Sequence, residues 1–269
     1  GQSTAPLTAV EIFEQVSPAI AFVETSVWTG SGVLIEGGYL VTNAHVVWPF
    51  DKARVVFPDG SEFLDAPVAN WDLLGDLAIL GPLDTSIDPL DLVDGEDLAI
   101  GSDVFLVGYP GEAEKFPQPS ISGGLISRLR ESEALGMTYI QTDAALAGGQ
   151  SGGVLVSIHG DAIGVSGLFF AEAFGLVASA ADVLPRVRGL IAGDDVSRLG
   201  NRRLPSTGAA LEHGFTLNND WYFVAYVVNE PAGTEISIEV VGDNDAGLYL
   251  FDAYGERLIS ADDTLTGAE

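Results

Sequence analysis

The chain has 269 residues, no cysteine and a formal charge of −28 from 39 acidic and 11 basic side chains. That length allows one large or two medium domains, and the missing cysteines exclude disulfides, thiol catalysis and cysteine-bound zinc or iron–sulfur centres. The negative charge opposes binding to nucleic acid or anionic lipid, and 47% hydrophobic residues, 33 glycines and no long apolar run describe a globular, loop-rich chain with no membrane span.

Residues 1–10 read as a tail. No basic stretch followed by an apolar core stands at the amino end, so no secretion signal is read in the chain. Across residues 11–191 short apolar segments alternate with glycine-bearing turns, notably at 33–35, 39–41, 54–57, 77–80, 104–108 and 154–158. This pattern predicts an all-β sandwich or barrel. Two helical stretches interrupt it, residues 9–15 and 179–191, the second with Ser179 as N-cap, and both are expected at the periphery. Residues 192–207 lack periodicity and are rich in Gly, Asp, Arg and Pro, which predicts an interdomain linker. Alternation resumes at 214–217, 221–228, 235–241 and 248–251, so residues 208–269 are expected to form a second, smaller β module. That module is markedly acidic, with twelve Asp and Glu against Arg257 alone after Pro205.

A serine hydroxyl is a poor nucleophile at neutral pH. It needs a base to take its proton, a carboxylate to orient the base, and backbone donors for the developing oxyanion. Candidates for all four occur. Gly148, Gly149, Gln150, Ser151, Gly152 and Gly153 surround one serine with glycines, which permit a tight turn that aims the Gly149 and Ser151 N–H groups at one point. Alone, the hexapeptide reads equally well as a flexible loop. His45 follows a strand-like segment in Thr42-Asn43-Ala44-His45-Val46-Val47, where a lone histidine is more often structural. Asp76 opens the apolar run Leu77-Ala78-Ile79-Leu80, a place that would bury a carboxylate beside an imidazole, with Asp72 as its rival four residues earlier. His159 and His213 each sit beside a glycine in a turn, and with no cysteine and no His-x-x-x-His spacing no metal site is read.

Taken in order, these motifs resemble the trypsin-like domain of the HtrA/Deg serine proteases. The resemblance spans residues 12–190 and includes Val16-Ser17-Pro18-Ala19, Gly30-Ser31-Gly32, the His45 segment, Asp76-Leu77-Ala78, and Gln141-Thr142-Asp143-Ala144-Ala145 leading into Gly149-Gln150-Ser151-Gly152-Gly153. It implies two six-stranded antiparallel barrels with the site between them. It makes His45 the general base, Asp76 its orienting carboxylate and Ser151 the nucleophile, with the Gly149 and Ser151 amides as the oxyanion hole and no cofactor. Asp143 is then structural. The implied reaction is serine endopeptidase hydrolysis of protein or peptide substrates through an acyl-enzyme on Ser151.

Three departures accompany the resemblance. The family usually has Asn-Pro-Gly-Asn before the serine, whereas this chain has Leu146-Ala147-Gly148-Gly149-Gln150, so the loop is expected to be more mobile and the oxyanion hole less completely formed without substrate. The neutral Gln150 before the serine, shared in kind with HtrA enzymes, gives a new amino terminus no carboxylate to pair with. The region after Leu190 does not resemble a PDZ domain. It resembles instead, over about 60 residues around 243–252, Gly255 and 262–263, the bacterial pre-peptidase C-terminal domain, a small β-sandwich, and stops before the last strands of such a module. Its acidic turns offer oxygen ligands suited to calcium, but their spacing is not that of an EF-hand loop, and a solvated acidic turn is the preferred reading.

In the implied arrangement the residue six positions before the nucleophile, Ala145, forms the base of the specificity pocket, with Leu146 beside it and Ser166, Gly167 and Leu168 on the facing wall. None is charged, so cleavage is expected after small or medium apolar residues. The competing reading is a protease-fold binding or scaffold protein with vestigial catalysis, which the intact His, Asp, Ser set disfavours. An α/β-hydrolase esterase fails on chain order, because it places the serine before the acid and histidine. The acidic, lysine-poor composition and the lack of cysteine point to an exported, extracellular or periplasmic bacterial protein. No oligomeric state is read from these residues.

Overall fold

The computed structural model describes residues 5–194 apart from 49, 74, 95–98, 112–116, 133–135 and 171–173, together with 215–217, 221–223, 234–235, 237–239, 248–251 and 257–261. Strands β1 (Ile20–Glu24), β2 (Thr29–Ile35), β3 (Tyr39–Thr42), β4 (Lys52–Val56), β5 (Glu62–Asp72) and β6 (Leu77–Leu80) close into one barrel in the order β1-β2-β3-β6-β5-β4. Strands β7 (Asp103–Gly108), β8 (Ser120–Ser132), β9 (Met137–Thr142), β10 (Val154–Ser157), β11 (Ala162–Phe170) and β12 (Phe174–Ser179) close a second in the order β10-β11-β12-β9-β8-β7. Every neighbouring pair is antiparallel, including the closing pairs β1/β4 and β10/β7. The expected two six-stranded barrels are therefore present, and the short apolar segments fall on strands.

Several of those segments are apolar on both faces because both faces are covered. In β1, Ala21 and Val23 fill the first barrel while Ile20 and Phe22 face a cluster shared with the second barrel. In β10, Leu155 fills the second barrel while Val154 and Val156 face the same shared cluster. Successive strand residues point to opposite faces, so a seam between barrels demands continuous runs where a half-exposed sheet would show alternation. Phe22 and Tyr109 cross the seam edge to face, with ring centroids 5.8 Å apart, and the Tyr109 hydroxyl donates to the Ile20 carbonyl at 3.3 Å. Each aliphatic side chain removed from water there contributes about 1.5–3 kcal/mol.

The two helices are not peripheral, contrary to the expectation from sequence. Helix α1 (Ala9–Val16) is held by a Thr8/Glu11 capping box and buries Ile12 and Val16 in the seam. A third, short helix, α2 (Ala44–Val47), carries His45 and was not predicted. Helix α3 (Ala180–Ala192) buries Ala180, Val183, Val187 and Leu190 in the seam and ends on Gly193 in the left-handed conformation. Ser179 occupies the N-cap position but makes no side-chain cap bond. A stripe spaced for a helix needs a surface to cover, and here that surface is the junction of two barrels.

Beyond α3, β13 (Phe215–Leu217) pairs with β14 (Trp221–Phe223), and β15 (Leu248–Phe251) pairs with β16 (Arg257–Ala261). The described residues of 235–241 are not in a strand. Most of the expected linker, the acidic turns weighed for calcium and His213 lie outside the described residues. No helix among the described residues is long and apolar enough to cross a membrane.

Candidate active site

The first barrel supplies the imidazole and its carboxylate. β3 ends at Thr42, whose hydroxyl donates to the Ser31 carbonyl at 2.6 Å, and the chain turns at Asn43 into α2. One residue into that helix, His45 Nδ1 lies 2.8 Å from Asp76 Oδ2, and the His45 backbone N–H donates to Asp76 Oδ1 at 3.0 Å. Asn43 Nδ2 also donates to the Asp76 carbonyl at 2.8 Å. Asp76 therefore accepts from three donors on the His45 segment, and it does so with φ of +51°, the left-handed region. For a residue other than glycine that conformation costs about 1–3 kcal/mol and persists only where its surroundings over-determine it.

Asp72, the rival carboxylate, points elsewhere. Fully buried, it accepts from the Gly75 N–H at 2.9 Å and from Arg186 Nη1 at 2.5 Å. Of the two aspartates, the one beside the imidazole is thus Asp76, as the resemblance implied. Burial pulls the His45 imidazolium toward lower pKa, while the Asp76 charge and hydrogen bond raise it, and the net direction is above the ordinary histidine value. With Nδ1 held by a carboxylate, the proton on Nδ1 is fixed and Nε2 is left as the basic nitrogen.

The second barrel supplies the serine. Gly149 and Gly152 take φ of +88° and +84° on either side of Gln150 and Ser151. A side chain at Gly152 would overlap the Ser31 carbonyl oxygen and lie 2.5 Å from Thr42 Oγ1, so only glycine lets this turn press against the first barrel. The Ser31 N–H donates to the Ser151 carbonyl at 2.7 Å, and Ser31 Oγ accepts from the Tyr109 N–H and donates to the Gly149 carbonyl. The Gly148 carbonyl accepts from the Gly111 N–H at 2.5 Å. Because a trans peptide points its C=O and N–H in opposite directions, that bond turns the Gly149 N–H the other way. Among the described residues neither the Gly149 nor the Ser151 amide donates to a protein acceptor, as donors reserved for an oxyanion would not.

Gln150 closes the same loop. Its Oε1 accepts from the Ala147 N–H at 2.6 Å and its Nε2 donates to Ser120 Oγ at 3.2 Å, and the residue is buried. The Ser151 hydroxyl donates to the Gly167 carbonyl at 3.3 Å, and no hydrogen bond among the described residues joins it to His45. The two halves nevertheless converge. A methyl at Gly30 would touch both Val46, next to His45, and the Ser151 carbonyl, and one at Gly167 would lie 2.9 Å from Asn43 Nδ2. Catalytic hydrogen bonds of this kind often tighten only on substrate.

Of the expected pocket residues, Ala145 is exposed, with its carbonyl held by Ser122 Oγ at 2.8 Å, and Leu146 packs half-buried against the second barrel. Leu146 sits where a methyl on Gly175 would collide with it, so Gly175 makes its seat. Ser166 corrects the expectation. It is fully buried, its hydroxyl donates to the Gln150 carbonyl at 2.5 Å, and its backbone pairs with Gly152 and Gly153. It therefore braces the serine turn and lines no open wall. Gly167 stands at the bulge between Ser166 and Leu168; the Leu168 side chain is outside the described residues. Asp143 accepts from the Leu125 N–H at 2.7 Å, which anchors the loop to β8. His159 is an exposed turn residue.

Sequence reasoning missed Ser31, Asn43 and Arg186. Ser31 and Asn43 lay inside quoted motifs, but their bonds reach residues 118 and 33 positions away. Arg186 had a signal: a cation set among Val183, Val187 and Leu190 on the buried stripe of α3 requires a buried anion.

Comparisons with known proteins agree with the two-barrel fold. Residues 30–165 match the trypsin-like peptidase domain family. The chain is 35% identical over 144 residues to the periplasmic serine endoprotease DegP of Salmonella typhimurium, covering 51% of this chain and 29% of that one. It is 31% identical over 177 residues to the serine protease HTRA1A of Danio rerio, covering 59% and 36%. The chain thus spans about a third of the length of these curated relatives. Among solved structures, the HtrA-type protease AlgW with tripeptide superposes with a TM-score of 0.64 at 27% identity, over 70% of this chain and 65% of that one. The serine endoprotease from Yersinia pestis gives 0.61 at 26%, over 70% and 68%.

Proposed function

The chain belongs to the trypsin-like peptidase family, and from that premise we propose that it is a serine endopeptidase of HtrA type with His45, Asp76 and Ser151 as its triad. The observation that carries this is the His45–Asp76 pair, 2.8 Å apart, on the barrel against which the Ser151 turn is pressed, with the Gly149 and Ser151 amides donating to no acceptor among the described residues. In the proposed reaction His45 Nε2 takes the Ser151 proton as Oγ attacks the scissile carbonyl. The Gly149 and Ser151 N–H groups receive the oxyanion, and the imidazolium, held by Asp76, returns its proton to the leaving amine. Water then repeats the sequence on the acyl-enzyme. The uncharged Ala145 and Leu146 favour small or medium apolar residues before the cut. Export to the periplasm or outside the cell belongs to the proposal, supported by the acidic, lysine-poor composition and by the likeness to a periplasmic relative.

The test is incubation with unfolded casein and with a fluorophosphonate. Label is expected on Ser151, and mass spectrometry of the digest is expected to show cuts after Ala, Val, Leu or Ile. No label with no cleavage would favour the scaffold reading, and dominant cuts after Lys or Arg would displace the pocket.

The pH profile follows from the His45 shift. Only the neutral imidazole accepts the serine proton, so kcat/KM is expected to fall with acid through an apparent pKa above the usual histidine value of about 6.5. Asp76 supplies the upward push and burial opposes it. In Asp76→Asn the residual activity is therefore expected to lose its acid limb to lower pH. A limb that stays in place, measured with a chromogenic peptide between pH 5 and 9, would remove Asp76 from that role.

A further inference from the structure

Four residues before Asp76 stands a second carboxylate that the proposed reaction does not use. Asp72 is fully buried at the end of β5, and its partner Arg186 comes from α3, 114 residues later and beyond the second barrel. Only 18% of the Arg186 side chain is exposed. Between the two acids, the Gly75 N–H donates to Asp72 Oδ1, and a methyl on Gly75 would lie 2.6 Å from Asp72 Oδ2 and 3.2 Å from Arg186 Nη1. The backbone is thus wrapped on the ion pair immediately before the one residue other than glycine with positive φ among those described. Among the described residues, Tyr139 on β9 and Asp182 on α3 also act in this neighbourhood. Tyr139 is raised in pKa first by burial and then by Asp76, with Asp72, Arg186 and Asp182 also acting on it, and Asp182 Oδ2 accepts from the Thr138 N–H.

We infer that Asp72 and Arg186 are positioning residues for Asp76: their ion pair, reaching across the seam, fixes Gly75 and so keeps the neighbouring Asp76 carboxylate aimed at His45. This rests on the role proposed for Asp76. Asn43 and His45 hold Asp76 from one side, and Gly75, fixed to the pair, holds it from the other. Without Arg186 the Asp72 carboxylate is a buried charge with no counter-charge. It then leaves the seam for water and takes its bond to Gly75 with it. Helix α3 is by this reasoning part of the site, although it contributes no group to the chemistry.

The experiment uses the full chain and two readouts, peptide kinetics and the far-downfield proton resonance of the His45 Nδ1–H bonded to Asp76. Arg186→Met is expected to lower kcat about 100-fold, as a displacement near 1 Å would, with KM within about twofold and the resonance lost. Arg186→Lys, which keeps the charge, is expected to retain the resonance and most of kcat. Asp72→Leu/Arg186→Met leaves no buried charge, and such replacements often preserve stability, so it serves if the single variant does not fold. It is expected to melt near the parent yet show the same loss of kcat and resonance. Parental kcat and resonance in Arg186→Met or in the double variant would overturn the inference. Should the chain prove not to be a peptidase, the resonance still reports whether the ion pair places Asp76.

Discussion

Ser151→Ala is expected to lower peptide turnover by about four to six orders of magnitude while leaving the fold intact. The proposed acyl bond forms on Oγ alone, so no neighbouring group can substitute for it. What the folded chain loses is one 3.3 Å hydrogen bond to the Gly167 carbonyl, worth about 1 kcal/mol. His45→Ala is expected to cost nearly as much, and the double variant little more than either, because groups that act as a unit are not additive. Active-site-titrated kinetics on a peptide, with thermal unfolding of each variant, check this. A Ser151→Ala rate within tenfold of the parent would sink the assignment.

Gly152→Ala is expected to abolish activity and also to lower stability, which separates it from the nucleophile variant. Its φ of +84° is strained for alanine, at about 1–2 kcal/mol. The new methyl would overlap the Ser31 carbonyl oxygen and crowd Thr42 Oγ1, and relieving that overlap costs a further 1–3 kcal/mol or so. Relief means pulling the turn away from β2. That motion breaks the Ser31 N–H to Ser151 carbonyl bond and the Gly152 N–H to Ser166 carbonyl bond, both of which set where Oγ stands. A rate at least about 1000-fold below the parent, with unfolding at lower temperature or denaturant, is the expected pair of results. Parental unfolding with parental rate would show that the turn is not wedged between the barrels.

Much of the local structure was legible because it depends on near neighbours. Runs such as Leu77-Ala78-Ile79-Leu80 and Val154-Leu155-Val156 are strands, and Thr8 with Glu11 marks the start of a helix. The glycines around Ser151 announced a tight turn, and two of the loop's glycines do take positive φ. Ser166 was misread because a small polar residue in an apolar strand can face either way. Here its hydroxyl meets the Gln150 carbonyl, a partner 16 residues away that only the folded turn brings to it.

The sequence by itself determined which residues could do chemistry here: one serine in a glycine turn, one histidine after a strand, two candidate aspartates and no thiol. Side-chain type and backbone freedom are local properties, and they can be read without a fold. The resemblance named Asp76, and the tertiary structure alone decided what holds each aspartate: Asp76 meets an imidazole 31 residues before it and Asp72 a guanidinium 114 residues after it. It also decided that α1 and α3 lie in the seam. Their apolar stripes were visible, but a stripe specifies only that something covers it, and two closed barrels packed side by side leave the groove that these helices fill.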